Sequence, residues 1–511
     1  MTPDPDSAPH PAQNRPAAGI TESPDGLDGA EQGYVPDPGR WRILSVLLVA
    51  IFMSLVSVSI VNVVLPSIQI GLGASDSDLQ WVLSGYALTF GVVLVAAGRA
   101  GDILGRGPLF IAGVALFTLA SVAAGLAPDP LSLNITRFLQ GLGSGLLNPQ
   151  AVGMIQQYFR GAERGRAYGA LGSVIGISVA IGPLLGGMII EFVGVQEGWR
   201  WTFLVNVPVG ILAIVLALVW FKPRHAGAGR PMAADADRDL DPLGAVLLGL
   251  AVLALLLPFV ERGAGPWIWL LLPGGAALLA LWAWWEHAYR RRGRSPMVDL
   301  RIFRTHSFSN GSLIAGLYFM GVTSVWVLVA LYIQQGLGGT ALEAGLIGLP
   351  AALLGAYASH WSGQRVLEHG RTSIVVGILC ALLGLGLTIA VILGEAAGVL
   401  SIWWMLLTLS FIGMAQGLII TPNQTLTLAE VPLEYSGSAG GVLQTSQRIG
   451  TAVGIAVITA VAFAVQARAG WTAAITAGLC VTAASVVATL LIAVADARRS
   501  SRLSAASSGR R

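Results

Sequence analysis

Charge is scarce in this sequence. Only 11% of its 511 residues are Asp, Glu, Lys or Arg, against roughly 25% in an average soluble domain. A soluble chain of this length needs a charged surface, so the composition excludes an ordinary globular enzyme, a nucleic-acid binder and a disordered protein. Lysine is nearly absent: Lys222 stands alone and every other basic residue is arginine, as in a GC-rich bacterial genome. Cysteine is limited to Cys380 and Cys480, both in apolar stretches and not in a CxxC pair, which implies no metal site and no disulfide framework. The histidines (His10, His225, His287, His306, His360, His369) are scattered over tails, loops and span ends. Neither zinc-ligand spacing nor a Walker loop occurs, so no metal, no cofactor and no ATP-driven step are expected.

What the chain has is apolar length. It is 54% hydrophobic, with a mean hydropathy of +0.72. A helix needs about 20 apolar residues to cross a roughly 30 Å hydrocarbon layer, and its amides must be satisfied within the helix. Apolar runs of that kind predict an all-α membrane protein with fourteen transmembrane helices. Residues 1–40, rich in Pro, Asp, Ala and Gly with seven acids, read as a disordered cytoplasmic tail rather than a signal peptide. Spans 1–6 fall in 41–221 and spans 9–14 in 307–495, while the linker 222–306 carries two extra spans near 243–260 and 266–285. A short tail, 496–511, follows.

Arginine placement sets the orientation. Alternate loops hold Arg99 and Arg106; Arg160, Arg164 and Arg166; Arg290, Arg291, Arg292 and Arg294; Arg365 and Arg371. The opposite loops hold only Arg200, Arg262 and Arg468. Both termini are therefore expected on the cytoplasmic side of a bacterial plasma membrane.

The two halves echo each other. Gly98, Asp102, Gly105 and Arg106 after span 2 match Gly363, Leu367, Gly370 and Arg371 after span 10 in spacing, with Leu367 in the acidic position. Gly141, Gly145 and Pro149 in span 4 match Gly413, Gly417 and Pro422 in span 12. Both echoes share one eight-span offset, which predicts two pseudo-symmetric six-helix bundles.

These residues also carry a family resemblance. Gly98-x-x-x-Asp102-x-x-Gly105-Arg106 resembles the signature of the major facilitator superfamily, and Arg137-x-x-Gln140-Gly141-x-Gly143 its second motif. Gly182-Pro183-Leu184-Leu185-Gly186-Gly187 resembles the motif associated with antiporters. Trp199 to Phe203 followed by Asn206, Pro208 and Gly210, and Pro296 to Leu300 with Phe303, are similar to the fourteen-span drug:proton antiporter branch. The resemblance covers about residues 41 to 495. One departure stands out: that branch places an acid in span 1, whereas Ser57 and Ser59 occupy the expected Asp and Thr positions ahead of Asn62, Leu65 and Pro66.

The resemblance implies a gate at Gly98, Asp102, Gly105 and Arg106, where the plain alternative is a turn and a topology signal. It implies a conformational role for Gly182, Pro183, Gly186 and Gly187, whose glycines equally suit close helix packing. Arg137 lies about six residues into span 4, roughly 9 Å deep; it either works in the cavity or snorkels outward. Arg448, beside Gln444 and Gln447 in span 13, is a weaker candidate of the same kind. Arg137, Asp102 and Glu343 are the proton-coupling candidates. Asn62, Gln80, Trp81, Tyr86, Arg137, Asn148, Trp326, Gln334, Gln335, Gln416 and Asn423 are the candidate cavity lining, although an interfacial aromatic or an interhelical hydrogen bond would explain any one of them.

Every acid lies in a tail, a loop or near a span end, so a neutral or anionic solute is expected. The function implied is export of hydrophobic drugs, antibiotics or secondary metabolites by proton antiport and alternating access, by a monomer in the lipid bilayer. The alternatives are a proton-coupled symporter, a membrane enzyme, which would need a catalytic cluster, and a sensor, which would need a soluble domain.

Overall fold

The computed structural model describes residues 36–221, 240–260 and 265–508. The expected tail over 1–40 and the first part of the linker lie almost entirely outside them. Among the described residues the chain is helical and contains no strand. The helices are α1 (Arg40–Leu72), α2 (Asp76–Leu104), α3 (Arg106–Gly125), α4 (Pro130–Tyr158), α5 (Gly161–Val193), α6 (Gly198–Leu204) and α7 (Asn206–Trp220). Then come α8 (Pro242–Val260), α9 (Leu271–Arg291), α10 (His306–Leu331), α11 (Ala341–Gln364), α12 (Val366–Ala396), α13 (Met405–Thr427) and α14 (Ser436–Ser508). Twelve helical stretches are long and apolar enough to cross a membrane. Helix α4 has the length, 29 residues, but carries more polar side chains.

Local chemistry sets the helix starts. Ser75 Oγ accepts from the Asp78 amide at 3.2 Å, and Asp78 Oδ2 accepts from the Ser75 amide at 2.9 Å, closing a reciprocal cap on α2. Asp129 caps α4, with Pro130 in the first turn where its missing N–H costs nothing. Thr340 and Glu343 close the same box on α11: Glu343 Oε2 accepts from the Thr340 amide at 2.7 Å and Thr340 Oγ1 from the Glu343 amide at 3.2 Å. Thr340→Ala should lower stability by about 1 kcal/mol. A thermal melt of the purified protein checks this, with Thr340→Ser retaining the wild-type value.

Two apolar runs behave differently from a simple span. The stretch expected as span 6 divides into α6 and α7 at Val205. Pro208 has no N–H to give to the carbonyl four residues earlier, and Asn206 Nδ2 donates instead to Phe203 O at 3.1 Å. The last two apolar runs form two helical segments, together labelled α14, that meet at a kink at Gly470 (φ 77°, ψ 180°), where the backbone is non-helical and in a conformation that glycine tolerates. Helix α14 continues through the expected tail to Ser508, where Asp496 pairs with Arg371 and accepts from Asn310 Nδ2 at 2.8 Å.

Helix α2 packs on α4, α3 on α4, and α1 on α5; further along, α10 packs on α14 and α13 on both α11 and α12. One apolar cluster surrounds Tyr86, Phe110, Phe117 and Phe159 and reaches Phe308 and Leu443. A second surrounds Tyr318, Tyr332, Leu409 and Ile412. Helices α8 and α9 pack on each other, and α8 rests on α2 through Gly91 and Gly249, which face Leu256 and Val92. Helix α2 also packs on α14, and α5 on α11.

Candidate transport site

The contact between α2 and α14 is built on Asp102. Its side chain is 1% exposed. Arg106 Nη2 donates to Asp102 Oδ1 at 2.8 Å. The amides of Gly437 and Ser438, in the first turn of α14, donate to Oδ1 at 3.1 Å and to Oδ2 at 3.0 Å. A carboxylate thus sits on the positive end of a helix whose first amides have no partner of their own. Arg106 Nη2 also donates to Leu433 O and Ser436 Oγ, both at 2.7 Å. Its Nη1 reaches Gly153 O at 3.0 Å and Gln157 Oε1 at 3.1 Å on α4. Six backbone and side-chain groups from three segments therefore converge on one ion pair.

The glycines of this turn make the approach possible. A Cβ on Gly98 would strike the Gly437 carbonyl, and one on Gly101 the Gln150 side chain. Gly105 holds φ at 102°, which places Arg106 back over Asp102.

A second seam runs between α5 and α11. Gly165 and Gly169 lie against Gly363, and Gly176 against Ala352 and Ala356. Ser173 Oγ donates to Ala356 O at 2.7 Å. Beyond Gly176 the glycines turn away from α11: Gly182 and Gly186 face Ser59 and Ile60 of α1, and a Cβ on Gly187 would meet nothing within 4 Å. The Gly-Pro segment thus packs α5 onto α1, with Pro183 inside the helix. Both seams lie at the end of the molecule that carries the arginine-rich loops.

Arg137 points inward and is 1% exposed, so it does not snorkel. Nε donates to Val82 O at 2.8 Å and Nη1 to Gln140 Oε1 at 2.7 Å, while Gln140 Nε2 donates to Ser121 Oγ at 2.8 Å. The guanidinium carbon lies 4.6 Å from the centre of the Tyr86 ring. Tyr86 OH is 2.6 Å from Ser144 Oγ and 3.0 Å from Ser54 Oγ, tying α1, α2 and α4 together.

The remaining sequence candidates separate. Trp81 is half-buried, tilted on Phe138 at 5.8 Å. Asn148 and Asn423 serve the backbone, donating to Ser144 O at 3.0 Å and to Gly311 O at 2.9 Å. Gln80, Trp326 and Gln416 are half-buried, whereas Asn62, Gln334 and Gln335 are exposed. Glu343 is engaged in the α11 cap, away from Arg137. Sequence reasoning missed the partners of Asp102 on α14, Gly437 and Ser438, because the loop before them has no basic residue and the two contribute only backbone amides. It also missed Ser54 and Ser144, which read as ordinary small residues in apolar helices.

Outside the spans, the segment before α10 is fixed by Asp299. Burial pushes its carboxyl up, but bonds from the Arg301 side chain and backbone and the charges of Arg301 and Arg290 outweigh this and hold it below the ordinary carboxylate range. It stays charged at neutral pH, and its contribution is lost only as pH falls through that lowered value.

A polytopic bundle of apolar helices with buried polar side chains where its helices meet is the architecture of a multi-pass membrane transporter. Comparison with known proteins gives the family. Residues 47–455 match the model described as Major Facilitator Superfamily, and the chain belongs to that family. It is 34% identical over 454 residues to the "Probable actinorhodin transporter" of Streptomyces coelicolor, covering 87% of this chain and 76% of that one. It is 32% identical over 430 residues to the "Puromycin resistance protein pur8" of Streptomyces alboniger, covering 83% and 82%. Among solved structures, the human organic anion transporter MFSD10 (TETRAN) shares the fold at a TM-score of 0.65 and 13% identity, over 89% of this chain and all (100%) of that one.

Proposed function

We propose that the chain exports hydrophobic drugs, antibiotics or secondary metabolites across a bacterial plasma membrane, by proton antiport and alternating access. Counting α4 as a span and dividing α14 at Gly470 gives fourteen crossings, arranged as two six-helix bundles (41–221 and 307–495) with α8 and α9 between them. The arginine-rich loops and both termini then face the cytoplasm. One observation carries the reading: Asp102 and Arg106 join α2 to the start of α14 at the basic-loop end, where α5 and α11 also meet through glycines. A transporter closed there and open on the other side needs a contact of this kind, one that holds in one state and breaks in the other.

On this reading Gly98, Gly105, Gly182, Pro183, Gly186 and Gly187 shape the moving surfaces. Arg137 and Asp102 are the groups at which proton traffic is felt, and Trp81, Tyr86, Trp326 and Gln416 line the path. The names of the relatives, an actinorhodin transporter and a puromycin resistance protein, support small-molecule export. The test is efflux from cells producing the protein, using a panel of fluorescent dyes that are neutral, anionic and cationic. At least one dye should accumulate less than in control cells, and a proton uncoupler should abolish the difference. Efflux that survives the uncoupler, or no efflux of any dye, would overturn the proposal.

A further inference from the structure

Arg448 lies twelve residues into α14, about 18 Å along the helix from its start at 1.5 Å per residue. At that position it is neither at a loop nor at a membrane surface. Its side chain is half-buried, and the guanidinium carbon sits 4.3 Å from the centre of the Phe90 ring on α2. Phe90 in turn stacks on Tyr86, with ring centres 6.1 Å apart and planes within 9° of parallel. Arg448 therefore reaches from α14 across its junction with α2, onto the aromatic pair that Arg137 covers from α4.

The two arginines differ in what they have left to give. Arg137 is anchored through two of its five N–H donors, given to Val82 O and Gln140 Oε1. Arg448 has no hydrogen bond or ion pair among the described residues. Nor can a nearby helix supply a carboxylate: α1, α4, α10, α13 and α14 from Ser436 to Gly470 contain no Asp or Glu. The acids of α2 sit at its two ends, and Asp102 is consumed by Arg106 and the α14 amides. On α1, Ser57 is fully buried and its hydroxyl has no hydrogen-bond partner among the described residues. A guanidinium held at this depth costs several kcal/mol without a counter-charge, and an aromatic face offsets only about 0.5 to 2 of that.

We propose that Arg448 is the receptor for an acidic group on the solute, so that the exported compounds are organic anions with an apolar body. A carboxylate, sulfonate or phenolate would take the two parallel N–H donors of the fork, which the Phe90 face holds at the junction between α2 and α14. This rests on the export reading above and names its substrate class. An anionic lipid is the other source of the same chemistry, and the lipid composition of the assay separates the two.

The experiment uses full-length protein in vesicles of phosphatidylcholine only, with an imposed proton gradient, and compares uptake of carboxyfluorescein with that of ethidium and a neutral dye. Wild type should move carboxyfluorescein and not ethidium. Arg448→Gln should cut carboxyfluorescein transport at least tenfold, and Arg448→Lys should keep a substantial part of it. A thermal melt and the reconstituted yield of each variant serve as the control for folding. Ethidium transport by wild type, or carboxyfluorescein transport unchanged in Arg448→Gln, overturns the assignment but leaves export standing. Carboxyfluorescein binding lost only when anionic lipid is added back assigns the site to lipid and overturns it. Transport of no dye by wild type overturns export and this assignment together.

Discussion

Asp102→Asn should reduce transport at least tenfold while the protein still reaches the membrane in normal amount. The substitution keeps size and shape, removes the charge and turns one acceptor oxygen into an NH2 donor. Both carboxylate oxygens are used: Oδ1 by Arg106 and the Gly437 amide, Oδ2 by the Ser438 amide. An asparagine amide has one acceptor where three donors converge, so at least one N–H would face another N–H. Hydrogen bonds to a charged group are each worth about 1.5 to 3 kcal/mol, and breaking a buried pair costs about 3 to 5 kcal/mol. The contact exists only while α2 and α14 touch, so its loss should fall on that state and not on the separated one. A loss of about 2 to 3 kcal/mol shifts such an equilibrium by roughly 30- to 150-fold. Two measurements check this. Dye efflux should fall as stated. A cysteine at the same junction, Val442→Cys, should react faster with a membrane-impermeant maleimide applied from the arginine-rich side when Asp102→Asn is present. Wild-type efflux with unchanged labelling would remove Asp102 from the gate.

The helices and the family were legible in the sequence because each is written locally. A span is a run of apolar residues, and Gly98, Asp102, Gly105 and Arg106 form a pattern within nine positions. The same pattern announced a tight turn, and Gly105 at φ 102° makes one. What the pattern could not name was the other side of the contact. Gly437 and Ser438 stand 335 and 336 residues from Asp102, and they contribute backbone amides, which every residue has. Arg137 was visible as a costly residue, but its direction was not. Whether a six-residue-deep arginine turns outward to water or inward depends on acceptors such as the Val82 carbonyl, which leaves no mark on sequence. Glu343 shows the converse. As an acid near a span it invited a role in proton transfer, while Thr340 three residues before it already spelled a helix cap. The break between the last two apolar runs was legible as well: Arg468 interrupts the run, and the backbone leaves helical geometry two residues later, at Gly470.

Replacing Arg137 tests whether the inward network is a working part or mere packing. Arg137→Leu removes the donor to Gln140 Oε1, an acceptor on a residue that is 0% exposed. An orphaned buried acceptor costs about 1 to 3 kcal/mol, and the guanidinium also leaves the face of Tyr86. A stability loss of about 2 to 3 kcal/mol is expected, with transport near background. Arg137→Lys should do little better: a single ammonium cannot serve Val82 O and Gln140 Oε1 at once while lying flat on a ring. The informative variant is the double change Arg137→Leu with Gln140→Leu. The Val82 carbonyl keeps its place in the α2 ladder, Ser121 Oγ loses the Gln140 donor but still donates to Phe117 O at 2.8 Å, and the orphaned Gln140 Oε1 is gone. The double variant should therefore melt higher than Arg137→Leu alone, a departure from additivity of about 1 kcal/mol or more. If its transport stays at background while its stability recovers, Arg137 acts in the transport cycle. If transport recovers along with the melting temperature, Arg137 holds the helices together and nothing more.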